Sequence, residues 1–424
     1  MNSTILVLNS GSSTLKFSLL NADTYQVIAS GNAEALNTET ARYTIKANGE
    51  KEQGKLTGDR SHLDALSKIF DELEERGLKK TIKAIGHRVA QGVDKFTQPT
   101  LLTPQIVDEI EALKPYAPLH NPPAAAAMRA AMDFMPDLPQ VAVFDTAFHS
   151  TMPERAYRYA VPDEWYQQYG VRRYGFHGTS YKYVSNRAAQ LLNIPLEDSA
   201  FIIAHIGSGA SIAAVLNGKS VDTTMGFTPL DGIVMGTRSG AVDPSIVTYM
   251  MKQLGKTADE IITSLNKESG LLGLTGVSSD QREIAKAILA GDKKSNTAME
   301  IAAYNIAKQI AGMMVALPRV DALVFTAGVG ENGAGWRAKI LDHLAVFGYH
   351  VDREVNNKTR GFNGIDGVIT VKDSKVAMAI RTNEELVIAE EVQAAIDGKY
   401  VNICDPNDPD CHPNIVDGEP YNWD

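Results

Sequence analysis

Apolar runs broken by small-residue turns recur along the chain, and two of them share one plan. Residues 5–20 read ILVLNSGSSTLKFSLL: an apolar run, a Gly/Ser turn, a second strand-like run. In residues 201–216, apolar Phe201 to Ala204 meets the turn His205-Ile206-Gly207-Ser208-Gly209, and a second apolar run, Ile212 to Leu216, follows. Asn217-Gly218 then closes the block with a two-residue hairpin signal. Each block predicts two antiparallel strands joined by a turn rich in small residues. Glycine lets backbone N–H groups approach a ligand closely, and a nest of N–H groups binds anions, phosphate first among small ones. Two such hairpins suggest a duplicated domain, each half offering one loop to a shared ligand. Coincidence is the competing explanation, because Gly/Ser hairpins are common.

Between the hairpins the period changes. Ser61 can cap a helix with Asp64 three residues on, an apolar stripe of Leu63, Leu66, Phe70 and Leu73, and Gly77 as its end. Ile82 to Ile85 predicts a short strand leading into Gly86-His87-Arg88. Thr103-Pro104 starts a helix through Leu113, and His120-Asn121-Pro122-Pro123 reads as a turn before an alanine-rich helix from Ala124 to Met132. Val141 to Phe144 and Ala322 to Phe325 predict buried strands, the latter followed by a third glycine turn, Gly328-Val329-Gly330-Glu331-Asn332. Ser278 to Arg282 can cap a helix from Glu283, and residues 296–317 form a long helix. Thr382-Asn383-Glu384-Glu385 predicts a capping box opening the last helix.

A chain of 424 residues is too long for one simple core, so two domains are expected. The net charge of -10, without a basic stretch, argues against nucleic acid and anionic membranes as partners. No apolar run of about 18 residues predicts a membrane span, and no charged-then-apolar leader precedes Ile5. The two cysteines, Cys404 and Cys411, lie in the last 24 residues, a stretch rich in Pro, Asp and Asn. They could pair or stay free. A body without disulfides fits a cytoplasmic location.

Several polar residues stand where chemistry is often placed. Arg238 lies in Gly236-Thr237-Arg238-Ser239-Gly240, and an arginine fork binds phosphate or carboxylate with two parallel hydrogen bonds. Arg88 follows a strand, where α/β proteins bind ligands. Asp145 ends a core strand, the place for an acid, a base or a metal-water contact, though equally for a turn cap. His177 sits between Phe176 and Gly178. Taken singly, each arginine also fits a solvated charge, and the histidine a structural role.

Taken in order, these residues resemble the acetate kinase family. The motifs are Asn9-Ser10-Gly11-Ser12-Ser13 with Lys16, HRV at 87–89, FDTAFH at 144–149 and RYGFHGTS at 173–180. GTRSG at 236–240, AGVGEN at 327–332 and TNEE at 382–385 follow. The likeness runs from about residue 4 to about 397. It implies an α/β fold of two duplicated ribonuclease H-like domains, as in the actin, Hsp70 and sugar kinase superfamily, with ATP in an interdomain cleft. The implied division is 1–149 plus 382–400, then 150–381, then an irregular acidic tail at 401–424. It implies a homodimer and the reaction ATP + acetate = ADP + acetyl phosphate, with Mg²⁺ or alternatively Mn²⁺.

The resemblance also carries roles. Asn9 and Glu384 would serve the metal. Lys16, His205, Ile206, Gly207, Ser208, Gly209, Asp280, Gln281, Arg282, Gly328, Val329, Gly330, Glu331 and Asn332 would contact ATP. Arg88 would hold the acyl carboxylate, Asp145 would be the catalytic aspartate, and His177 and Arg238 would stabilise the transition state. The chain departs from the family pattern at Ser208, usually asparagine, and at Gln91, Tyr181, Ala241 and Arg381. It departs also at Ala90, where acetate-specific members carry valine at the acyl methyl and propionate kinases carry alanine. The alternatives are a propionate kinase with a wider pocket, a pyrophosphate-using relative, and an ATP-driven binding protein of the actin or Hsp70 sort.

Overall fold

The computed structural model describes residues 3–118 and 120–400. The acidic tail and its two cysteines lie outside the described residues. The described chain divides into two compact units, one formed by residues up to Pro153 and from Glu384 onward, the other by Glu154–Asn383.

The first unit is built on one mixed sheet. Its strands are β1 (Thr4–Ser10), β2 (Thr14–Asn21), β3 (Val27–Glu34), β4 (Arg42–Ala47), β5 (Glu50–Lys55), β6 (Ile82–Val89), β7 (Thr100–Leu101) and β8 (Gln140–Phe144). They lie in the order β5-β4-β3-β2-β1-β6-β8-β7. β1 runs antiparallel to β2 and parallel to β6, which is parallel to β8. Alternation along β1 sorts its side chains. Leu6 and Leu8 join Leu66, Phe70 and Ala131 from the helices His62–Glu75 and Asn121–Phe134. Ile5 and Val7 join Ile388, Ala389 and Val392 of the last helix, Glu384–Ile396, on the opposite face. That helix presses so close that a Cβ on Gly86 of β6 would stand 2.6 Å from Val392 Cγ2.

The second unit repeats the plan. Its strands are β9 (Ala200–Ile206), β10 (Ala210–Leu216), β11 (Lys219–Thr223), β12 (Ala322–Thr326), β13 (Gly367–Val368) and β14 (Ala377–Ala379), in the order β11-β10-β9-β12-β14-β13. β9 is antiparallel to β10 and parallel to β12, which is parallel to β14. Stripped of edge additions, both sheets run third, second, first, fourth, fifth, with one pattern of parallel and antiparallel pairs. This is the duplicated ribonuclease H-like architecture. The long helix Lys293–Met313 supplies Ala303, Ile306 and Ile310 to a core shared with Ile202, Ile212, Leu323 and Phe325.

Several expected details change. The alanine-rich helix starts at Asn121, with Pro122 and Pro123 inside its first turn, where no intrahelical N–H bond is lost. Leu63 is 52% exposed, and Ile69 takes its place in the buried stripe with Leu66, Phe70 and Leu73. Ser61 caps that helix as expected, accepting from the N–H groups of Leu63 and Asp64. Residues Ala327–Asn332 form a short helix rather than a glycine turn. The last helix begins at Glu384, so Thr382 is not its cap; the Thr382 hydroxyl donates to Ser180 Oγ at 2.9 Å instead.

Candidate active site

In the first unit, Asn9, Arg88 and Asp145 gather where three neighbouring strands end. Arg88 lies within β6, beside Asn9 on β1 and Val143 on β8. Asp145 is the first residue past β8. Its side chain is buried, and it takes the Arg88 fork side-on, Nε to Oδ1 at 2.9 Å and Nη2 to Oδ2 at 2.5 Å. Arg88 Nη1 donates to Asn9 Oδ1 at 3.1 Å, and Glu384 Oε2 stands 3.8 Å from Arg88 Nε. Burial works against the Arg88 charge, but the carboxylates of Asp145, Glu384 and Glu385 outweigh it and hold the guanidinium above its ordinary value. A guanidinium has five N–H donors. Among the described residues Arg88 uses three of them, to Asp145 and Asn9, which leaves two for a ligand.

In the second unit, the β9–β10 turn is the centre. Gly207 N–H donates to the Gly209 carbonyl at 3.1 Å, and Gly236 N–H donates to the Ser208 carbonyl at 3.3 Å. A Cβ on Gly209 would lie 3.5 Å from Arg238 Nη1 and 3.6 Å from His177 Nε2. Glycine therefore keeps open the space onto which the arginine and the imidazole both face. His177 adopts the left-handed conformation (φ 61°) just before the helix Gly178–Leu192. Its ring stacks on His205 with centroids 4.0 Å apart and planes 12° from parallel. His177 Nδ1 sits 2.7 Å from Ser211 Oγ, and His205 Nδ1 sits 2.8 Å from Ser180 Oγ.

Arg238 differs from Arg88. It donates to the Pro229 carbonyl at 3.1 Å. Among the described residues no carboxylate pairs with it, and burial pushes its guanidinium below the ordinary value. A desolvated cation without a counter-ion is a site for an anion.

The remaining expected ligand residues are placed less tightly. Asp280 caps the helix Gln281–Leu289 and holds Arg282, which is otherwise exposed. Gln281 Oε1 is buried and accepts no hydrogen bond. Gly328 is open on its Cβ side, whereas Gly330 packs tightly on Phe325. Val329 and Glu331 are half-buried, and Glu331 accepts the Thr382 N–H at 2.9 Å. Asn332 Oδ1 accepts from the Phe362 N–H at 3.0 Å. Ile206 is a buried core residue, Ser208 is exposed, and Lys16 is an exposed residue of β2 opposite Asn9. Ala90, just past β6, is half-buried.

Sequence reasoning missed the hydroxyls that hold the two imidazoles, Ser180, Ser211 and Thr382. It also missed Arg337, fully buried, which donates to the Gly330 and Glu331 carbonyls that end the short glycine helix. An arginine one turn or two past a glycine motif is the only local signal for it.

Known proteins resemble this chain over most of its length. The model of the Acetokinase family matches residues 4–390. The acetate kinase of Deinococcus radiodurans is 49% identical over 394 residues, 93% of this chain and 98% of that one. The crystal structure of a propionate kinase from Francisella tularensis superposes with a TM-score of 0.88 at 43% identity, covering 92% of this chain and 99% of that one. The Porphyromonas gingivalis acetate kinase gives 0.86 at 40% identity, over 93% and 100%. With the duplicated sheets, the paired arginine at one set of strand ends and the glycine loop at the other, the chain belongs to the Acetokinase family, phosphotransferases whose acceptor is a carboxyl group.

Proposed function

We propose that the chain catalyses the reversible transfer of the γ-phosphoryl group of ATP to acetate. A carboxylate oxygen bonds to the γ-phosphorus in line as the bond to the β-bridging oxygen breaks, and ADP leaves with that electron pair. The observation that carries this reading is Arg238, a half-buried cation without a carboxylate partner among the described residues, beside the glycine loop and His177 Nε2.

The physical difficulty is charge, not basicity. A carboxylate is already ionised at neutral pH, since such acids titrate near pH 4. Bringing it to within 4 Å of a phosphoryl oxygen costs roughly 4 kcal/mol per pair of unit charges at an effective dielectric of 20. Phosphoryl transfer is governed by offsetting that repulsion and by positioning. Arg88 would take the acid on its two remaining donors, with Asp145 holding the fork in place. Arg238 and the Nε2 of His177 would carry the charge that grows on the transferring group. The β9–β10 turn would receive phosphates on its N–H groups, and Gln281 Oε1 is a waiting acceptor for a nucleotide N–H or O–H.

Asn9 and Glu384 offer an amide oxygen and a carboxylate, hard donors suited to Mg²⁺ or Mn²⁺, and both already touch one guanidinium. Mg²⁺ is commonly held by one or two such groups together with substrate phosphates, and when bound it neutralises phosphate charge.

Propionate is a second acceptor that one observation favours. Ala90 is smaller than valine, leaving room for another carbon. A homodimer is the assembly we propose: no residue of the helix Ser245–Leu254 is buried, and Ile246, Tyr249 and Leu254 stand exposed on it. No helix among the described residues is long and apolar enough to cross a membrane, and we place the enzyme in the cytoplasm with its ATP supply.

Trapping acyl phosphate as the hydroxamate, with ATP and Mg²⁺ and with acetate or propionate, tests the reading directly. Hydroxamate formation above the enzyme-free rate is expected. Formation only with pyrophosphate would replace the donor, and formation with neither donor would leave an ATP-driven binding protein as the better account.

A further inference from the structure

The two stacked imidazoles are held in the same way. His205 Nδ1 meets Ser180 Oγ at 2.8 Å, and that oxygen accepts the Thr382 hydroxyl at 2.9 Å. His177 Nδ1 meets Ser211 Oγ at 2.7 Å, and that oxygen meets the Tyr181 hydroxyl at 2.5 Å. In each case a serine stands between a ring nitrogen and a second hydroxyl. A serine has one proton to give and two lone pairs to receive with. If the outer hydroxyl donates inward, the serine's own proton goes to Nδ1. The ring then carries its proton on Nε2, the atom aimed at the glycine loop: His177 Nε2 lies 3.6 Å from a Cβ built on Gly209, and His205 Nε2 lies 3.9 Å from one on Gly207.

We propose that Tyr181 and Ser211 are positioning residues that fix His177 as an Nε2–H donor. This rests on the reading of the loop as a phosphoryl site. The tautomer of a histidine is set by what its other nitrogen bonds. Tyr181 is fully buried, and burial keeps its phenol protonated well past the ordinary value. The phenol meets both Ser211 and Thr223, and we assign its one proton to Ser211, the serine that touches the ring; Thr223 gives its own proton to the Ile212 carbonyl. In the neighbouring chain the Thr382 hydroxyl donates inward to Ser180 Oγ, the atom that meets His205 Nδ1. Two rings stacked at 4.0 Å also disfavour a doubly charged pair.

Long-range ¹H–¹⁵N spectra of the ¹⁵N-histidine-labelled full-length protein, with His177 assigned by difference against His177→Asn, read the tautomer without any turnover. The wild type is expected to show the Nε2–H pattern for His177. Tyr181→Phe keeps the ring volume and removes the donor, and Ser211→Ala removes the link. Both should shift His177 away from a pure Nε2–H pattern. They should lower kcat by about tenfold, a fraction of the 10²–10³-fold cost of losing an oxyanion donor outright, with KM for ATP nearly unchanged. Tyr181→His restores a donor and should recover much of both. A wild-type Nδ1–H pattern overturns the proposal, as does an unchanged His177 signal in folded Tyr181→Phe. If the spectra behave as expected but no acid is phosphorylated, the relay stands and the functional reading fails.

Discussion

Arg88 and Asp145 are paired both through side chains and through their strands. The side-on fork bonds at 2.9 and 2.5 Å are accompanied by the Asp145 N–H donating to the carbonyl of Val89, next to Arg88, at 2.9 Å. The aspartate therefore has little freedom, and it fixes the plane of the guanidinium. Arg88→Ala should lower kcat/KM for the acid by roughly 10²–10³-fold. It should also destabilise the fold by about 3 kcal/mol, because a buried carboxylate loses its partner. Arg88→Ala combined with Asp145→Ala should recover most of that stability and none of the activity. Urea denaturation and steady-state kinetics on the three variants separate the two effects; a double variant as unstable as the single would refute the pairing argument.

Arg238 predicts the opposite sign for stability. Removing a half-buried, partly desolvated cation that has no carboxylate partner among the described residues should not weaken the free protein. Arg238→Gln is expected to unfold at the same temperature as wild type or higher, while losing roughly 10²–10³-fold in kcat. ATP at 100 times its Kd stabilises a protein by about 2.7 kcal/mol, and the variant should gain clearly less than wild type at the same ATP concentration. Thermal unfolding with and without Mg-ATP checks both halves.

How much of this was legible in the sequence depended on how local each cause was. The two hairpins could be read because alternation and a small-residue turn sit within sixteen residues of each other. The strand order could not, since β1 pairs with β6 and β9 with β12 across long separations. Leu63 was misplaced because the buried stripe is centred nearer Ile69, and a helical turn of 100° per residue carries Leu63 about 100° off that centre. The glycines after β12 suggested a turn, yet Gly330 is needed for close approach: a Cβ there would stand 3.3 Å from the Phe325 carbonyl carbon. At the site, Arg88, Asp145, His177 and Arg238 were visible as residue types in suggestive places. Their holders were not, because Thr382 and Ser180 meet across 202 positions and nothing local marks a serine as an imidazole's partner.

His87 gives a pH prediction with a definite sign. It is buried, lies 2.8 Å from Gln140 Oε1, and desolvation pushes its ring down to about 4. Above its unfolded value near 6.5, folded and unfolded chains both carry it neutral, and it adds no pH dependence. Below that value the unfolded chain binds a proton that the folded chain refuses, so stability falls as pH drops, and it levels off near 4. The total is on the order of 3 kcal/mol. Urea unfolding between pH 7.5 and 4 should show this slope, and His87→Gln should flatten it; an unchanged slope in the variant assigns the effect to other groups.

Ala90 tests acceptor choice. One methylene in an apolar pocket is worth about 1–3 kcal/mol, or roughly 10–200-fold in kcat/KM. With alanine at this half-buried position, directly after the strand that carries Arg88, propionate should be phosphorylated with a kcat/KM comparable to that of acetate. Ala90→Val adds two methyl carbons to the same backbone position. It should lower kcat/KM for propionate by about tenfold or more relative to acetate, while KM for ATP stays put, since the change touches only the acid. Assays of wild type and variant across formate, acetate, propionate and butyrate decide the point. A wild type that already prefers acetate by more than about 100-fold would mean that other side chains close the pocket and that Ala90 does not set the acyl length.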